Sequence, residues 1–258
     1  MLSMKISLIT IVYNNKDHIE DCLNSVLNQN YDDIEYVVID GGSTDGTIEI
    51  ISRYLDQITY FDSRPDKGLY DALNRGVSLA TGDIVGILHS DDLFVNNEVV
   101  NDVFSVFEKE KADIVYAKGL FVARDNCQNV RRIYKASSFK KGLLNWGWIP
   151  LHTTIFVKRE VFAKHGLYDL NYPIASDYDI SLRWFRDNSL RKVFLDKYIV
   201  KMRLGGKSTS MNLQKSKSLQ DLAIIKKHGL WGGVTLGFKL IRKVPQYLRP
   251  YFFTPKLH

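Results

Sequence analysis

Cysteine is scarce in this chain: Cys22 and Cys127 are the only two among 258 residues. A disulfide framework is therefore not expected, and Cys22, on the apolar stripe of an expected helix, reads as a buried thiol. No run of about 18 apolar residues occurs, so no transmembrane helix is expected. Nothing resembles a signal peptide, because residues 1–12 are too short and run straight into a strand, and a cytoplasmic protein is the expectation. Internal repeats and low-complexity linkers are absent too. Acidic residues nearly vanish from the end of the chain, where residues 207–258 hold ten Lys or Arg against the single acid Asp221. The whole chain carries +6, so the first 206 residues are net negative and the basic surplus sits in the tail. Such a tail suits an anionic surface, membrane or nucleic acid, or else is a solvated helical face.

What is present is an ordinary globular composition, 45% hydrophobic and 25% charged, in a length that allows one large α/β domain or one domain with an appendage. Residues 5–12 read as a buried strand closed by Tyr13-Asn14-Asn15. Asp17 is then an N-cap for a helix whose Ile19, Cys22, Leu23, Val26 and Leu27 follow the 3.6-residue period. Strands are expected at 34–39, 58–61 and 84–88, with helices from the turn after Asp40 to about Leu55 and over 69–79, where Leu69, Leu73, Gly76 and Val77 share one side. Four strands alternating with three helices make a parallel, doubly wound half. Beyond Asp113 the order changes, with strands at 114–122, 130–134, 153–157 and 193–202. Helices are expected from Arg159, over 177–186 and over 211–228. The expected division is 1–210 as the α/β domain and 211–258 as a basic, aromatic-rich helical extension.

Open α/β sheets bind ligands outside the carboxyl ends of their strands. Asp91 and Asp92 stand where the fourth strand stops. A hard cation such as Mg²⁺ or Mn²⁺ uses one or two carboxylates plus substrate phosphates, so one of the pair can hold an ion while the other accepts from a ribose hydroxyl; the alternative is a helix cap. Asp40 ends the second strand at the same edge, and Ser43, Thr44 and Asp45 after it read as helix caps. Asp66-Lys67-Gly68 is another turn there, and a Lys at a helix start opposes the helix dipole, which hints at an anionic ligand. Asn145-Trp-Gly-Trp-Ile-Pro-Leu-His152 offers Trp148 and His152 as an acceptor platform, or else Trp residues that plug the core.

Six pieces in order resemble a family 2 glycosyltransferase with the GT-A fold. They are Thr10-Ile-Val-Tyr-Asn14, Val38-Ile-Asp-Gly-Gly-Ser-Thr-Asp-Gly-Thr47, Pro65-Asp-Lys-Gly-Leu-Tyr-Asp-Ala-Leu-Asn-Arg-Gly76, Gly82-Asp83 with His89-Ser-Asp-Asp92, Ala175-Ser-Asp-Tyr-Asp-Ile-Ser-Leu-Arg183, and Gly205-Gly-Lys-Ser208. The resemblance covers residues 5–210. It implies a GT-A type, Rossmann-like and mostly parallel sheet with helices on both faces. Ile11 and Tyr13 would border the nucleotide base, Asp91 the ribose, Asp92 would be the metal ligand, and Asp177 the catalytic base, with Asp179 in reserve. Many members carry a second acid after position 40 that reads the uracil edge; here that place is Gly41, so recognition by that side chain is unavailable.

The implied activity is inverting transfer of a hexose or N-acetylhexosamine from a nucleoside-diphosphate sugar, UDP-linked, with Mn²⁺ or Mg²⁺. The acceptor would be a hydroxyl of a lipid-linked saccharide in O-antigen, capsule or exopolysaccharide synthesis. Lys67 and Lys207 would lie near phosphate, and the tail would meet an anionic membrane at the inner face of the plasma membrane. Two other classes compete. A sugar-1-phosphate nucleotidyltransferase lacks its expected Gly-rich loop here. A nucleic-acid-binding protein finds positive charge only in the tail and no matching motif, so nucleic acid is not an expected partner.

Overall fold

The computed structural model describes residues 4–205, 211–252 and 255. The first half alternates strand and helix: β1 (Ile6–Val12), α1 (Ile19–Leu27), β2 (Ile34–Asp40), α2 (Thr47–Ser52), β3 (Tyr60–Ser63), α3 (Leu69–Leu79) and β4 (Ile84–His89). β1 pairs in parallel with β2 and with β4, and β2 in parallel with β3. All seven residues of β1 are buried, as in a central strand covered on both faces.

Three local expectations are corrected. α1 starts at Ile19 with His18 at its N-cap position, and no side chain caps it, so Asp17 lies one residue too early. The third strand begins at Tyr60, two residues later than Ile58, which is buried ahead of it. On α3 the inward stripe is Tyr70, Leu73 and Val77, whose spacings of three and four follow the helical turn, and Leu69 faces solvent.

The second half continues through β5 (Leu93–Phe94), α4 (Val99–Glu110), β6 (Ile114–Val122), β7 (Val130–Tyr134), β8 (Ile155–Lys158), α5 (Arg159–His165), α6 (Ser176–Arg186) and β9 (Lys192–Arg203). Among the described residues the strands form one sheet in the order β3-β2-β1-β4-β8-β6-β9-β5, with β7 paired to β6. β8 runs antiparallel to both β4 and β6 and so joins the two halves. A single 3₁₀ turn, His152–Thr154, occupies the first residues expected in that strand. Alternate strand residues feed opposite faces: Ile9, Val37 and Ile39 join one core with Leu73, Trp184 and Phe185, while Leu8 and Val38 join the other with Cys22, Leu23 and Phe107.

The last α-helices described are α7 (Met211–Lys227), α8 (Gly233–Ile241) and α9 (Val244–Leu248), followed by a 3₁₀ turn at Arg249–Tyr251. Ile224 and Ile225 of α7 are fully buried in the core cluster that holds Trp184 and Phe185. Lys239 of α8 sits 2.8 Å from Asp221 Oδ1 of α7, and its Nζ lies 3.3 Å from the centroid of the Tyr178 ring. Gly147 permits this docking: its φ is +67°, and a methyl group there would lie 2.4 Å from the Lys239 backbone nitrogen. Gln246 of α9 accepts a hydrogen bond from Arg132 Nε at 2.8 Å.

Candidate active site

The carboxyl ends of β1, β2 and β4 meet at one edge, and hydrogen bonds lock their turns together. Asn14 stands at φ +49°; its backbone N–H donates to Ser43 Oγ and its side-chain oxygen accepts from the Thr44 N–H, both at 2.8 Å. Asn15 donates to Ser90 Oγ at 2.9 Å, which ties in the end of β4. Asp45 Oδ1 accepts from the Thr47 N–H at 3.1 Å, so Asp45 serves α2 as the sequence suggests, whereas Ser43 does not.

Ser43 serves Asp40 instead. The Asp40 carboxylate is fully buried and accepts from the Gly42 and Ser43 N–H groups at 2.9 Å and from Ser63 Oγ at 2.8 Å. Its oxygens are spent inside the fold, so Asp40 shapes the turn rather than presenting a carboxylate to a donor. Ile11 is likewise buried, while Tyr13 is half exposed. Asp66 faces this turn, with Oδ1 accepting from the Gly68 N–H at 2.8 Å. Lys67 is exposed, and its backbone N–H is held by Asp71.

Asp91 and Asp92 take different environments, as adjacent residues past a strand end must. Asp91 stays accessible, 3.4 Å from Arg124 Nη1. Asp92 is 1% exposed; Oδ1 accepts only from the Arg203 N–H at 3.3 Å, and the buried Oδ2 has no protein partner among the described residues. Burial and the neighbouring Asp91 charge push the Asp92 carboxyl well above its ordinary range. A buried carboxylate oxygen without a donor is costly, and a divalent cation is the group that would satisfy it. Among the described residues no set of three or more His, Cys, Asp or Glu side chains could hold a metal ion by itself. The residues present thus fit an ion bound by one carboxylate with substrate oxygens completing its shell.

On the other side of this edge stands Asp177, in the first turn of α6 but not capping it, since Ala175 holds the N-cap position. Its side chain keeps 30% of its surface open. Burial raises its pKa, but the Lys217 ammonium at 4.0 Å, His152 and a 2.8 Å hydrogen bond donated by Tyr70 outweigh that and hold the carboxyl below the usual range. His152 and the Tyr168 hydroxyl share a 2.8 Å hydrogen bond. Burial lowers the His152 pKa to about 4, so the ring is neutral at pH 7. Tyr168 stacks on Tyr70 at 5.5 Å, and its backbone is clamped by Asn74, which donates to the Tyr168 carbonyl and accepts from its N–H at 2.9 Å each. His89, at the end of β4, lies 5.8 Å from His152 between ring centroids, and its pKa, lowered by burial, is pushed back up by both Asp91 and Asp177. His89 therefore links the two sides of the site.

Two expectations fail here. Trp148 is 4% exposed, with its ring centroid 5.7 Å from each of Tyr116, Phe139 and Phe185; it is core and gives no acceptor platform. Asp179 is fully buried, bonded to Arg183 Nε at 3.0 Å and to His228 at 2.9 Å, and has no free face for a base. Lys207 lies outside the described residues. Sequence reasoning did not find Tyr70, Tyr168, His89, Lys217 or Arg203. Tyr70 and His89 lie inside quoted motifs, but the other three carry no local signal, since long-range packing alone brings them to the edge.

The glycosyl transferase family 2 model matches residues 7–194. An uncharacterized glycosyltransferase of Mycobacterium tuberculosis is 34% identical over 182 residues, which cover 69% of this chain and 68% of that protein. A PGL/p-HBAD biosynthesis glycosyltransferase of the same organism is 32% identical, with 66% of this chain and 65% of the relative covered. Among solved structures, S. aureus TarS in complex with UDP-GlcNAc superposes with a TM-score of 0.64 at 18% identity, covering 90% of this chain and 69% of that one. A mannosyltransferase from Pyrobaculum calidifontis in complex with GDP-Man and Mn²⁺ gives 0.67 at 16% identity, covering 93% of this chain and 74% of that one. In a further TarS structure the chain spans 44% of the solved protein. The structural likenesses establish the GT-A type α/β fold, and the sequence matches establish the rest: this chain belongs to glycosyl transferase family 2 and is a glycosyltransferase.

Proposed function

We propose that this enzyme is an inverting, cation-dependent transferase that moves a hexose or N-acetylhexosamine from a UDP-linked donor to a hydroxyl of a lipid-linked saccharide in surface polysaccharide synthesis. The observation that carries the reading is the pairing of two unlike carboxylates at one sheet edge. Asp92 is buried with an orphaned oxygen, and Asp177 is open and held ionised. Supporting it, a fold neighbour binds UDP-GlcNAc, another binds GDP-Man with Mn²⁺, and a relative is named a PGL/p-HBAD biosynthesis glycosyltransferase.

In this mechanism Asp92 would hold the cation and Asp91, beside it, would accept from the ribose. When bound, the cation supplies Lewis-acid stabilisation of the departing diphosphate. Lys67, exposed at the turn, adds positive charge on the same side. Asp177 takes the proton of the acceptor hydroxyl as it attacks the anomeric carbon. Tyr70 and Lys217 fix the carboxylate and keep it ionised, and neutral His152 offers a hydrogen bond without adding charge. One in-line displacement inverts the anomeric centre, so an α-linked donor gives a β-linkage.

Melting temperature with and without UDP and Mn²⁺ tests the donor half. UDP at about 100 times its Kd stabilises a protein by about 2.7 kcal/mol, a rise of about 5–10 °C at this size. The wild type should show a rise that needs Mn²⁺, and Asp92→Asn should lose the Mn²⁺-dependent part. An equal rise in both proteins, or none with any nucleotide, would refute the assignment.

A further inference from the structure

Gly41 sits directly after β2, and its backbone does not demand glycine, since its φ is outside the left-handed region. Space demands it. A methyl group at Gly41 would lie 2.4 Å from Asp66 Oδ2 and 3.4 Å from Tyr13 Cδ2. The volume that a side chain at position 41 would fill is taken by a carboxylate from another turn. Asp66 Oδ1 is occupied by the Gly68 N–H, and no partner for Oδ2 occurs among the described residues. Beside that oxygen stands the Tyr13 ring, 51% exposed. An acceptor-only oxygen next to a half-exposed aromatic ring, at the edge that holds Asp91 and Asp92, is the chemistry that reads the edge of a stacked base.

We propose that Asp66 is the base-reading residue of the donor site. Its Oδ2 accepts the ring N–H that lies next to a carbonyl, which is N3–H in uracil or N1–H in guanine. Cytosine and adenine present a bare ring nitrogen at that place, and a carboxylate repels it. This assignment rests on the nucleoside-diphosphate reading above and adds which base the site accepts.

The test is titration calorimetry of UDP, GDP, CDP and ADP with Mn²⁺, on the wild type, on Asp66→Asn, and on the double variant Gly41→Asp with Asp66→Gly. Asn keeps the bond to the Gly68 N–H but can turn an N–H toward the base. The wild type should bind UDP or GDP at least tenfold tighter than CDP and ADP, and the tighter of the two names the base. Asp66→Asn should weaken that nucleotide by roughly 10- to 100-fold while CDP holds or improves. The double variant moves the carboxylate to position 41 and should restore the preference. Unchanged discrimination in Asp66→Asn would overturn the role of Asp66 while leaving the donor reading intact. A wild type that binds none of the four would overturn both.

Discussion

At the scale of single residues, the account turns on one carboxylate kept ionised by its neighbours. A general base must be deprotonated to work, and a folded pKa below the ordinary range would keep Asp177 competent in its proposed role as pH falls. The sign follows: the acid limb of donor turnover lies below the ordinary Asp range, and raising the Asp177 pKa moves that limb toward neutrality. Lys217→Met removes the largest favourable charge while keeping the aliphatic stem. As pH falls from 7 to the acid limit of the folded protein, kcat for sugar transfer should begin to drop at a higher pH in Lys217→Met than in the wild type, with the neutral plateau less affected. A limb at the same pH in both proteins would deny Lys217 this part. Asp92 and Asp177 stand out in the sequence because each lies in a compact motif at a predicted element end. Asp179, two residues on, was not separable from Asp177 by sequence, because the difference is made by Arg183, Lys227 and His228 closing over it. Trp148 was misread for a similar reason, since a Trp beside Gly and Pro looks like a loop residue until Tyr116, Phe139 and Phe185 are seen around it.

At the scale of elements, the regular repeats were the easiest to read. α3, β6 and β7 fall on their expected bounds, because their apolar periods are clean and their ends are marked by turns. β5 has two residues and no period to read, and it exists because Leu93 and Phe94 meet β9. The C-terminal helices divide their surface. Lys239 and Thr235 hold α8 to the body, while Ile241, Val244, Leu248, Tyr251 and Phe252 are exposed next to Arg242, Lys243 and Arg249. Apolar and basic groups side by side suit an anionic lipid surface, where each basic residue contributes about 1 kcal/mol. In sedimentation with vesicles, the protein should bind phosphatidylglycerol-containing membranes and bind neutral phosphatidylcholine far less. Replacing Leu248, Tyr251 and Phe252 by Ser should weaken binding by at least tenfold, and raised salt should weaken it further. Equal binding to both vesicle types would count against a membrane role for these helices.

At the scale of the whole molecule, the proposed reaction divides between two parts of the sheet. The parallel half ends in Tyr13, Asp66, Asp91 and Asp92, the proposed donor side. The mixed half, joined through β8, brings His152 beside His89 and Asp177 onto Tyr70, the proposed acceptor side. That division predicts that the two sides can be broken separately. The most direct measurement pairs UDP affinity with sugar transfer from a UDP-sugar to extracted lipid-linked saccharides, in the wild type and in Asp177→Asn. The account predicts UDP affinity within about twofold of the wild type and transfer lowered by roughly 10²- to 10⁴-fold. Transfer at the wild-type rate in Asp177→Asn, with UDP still bound, would contradict it.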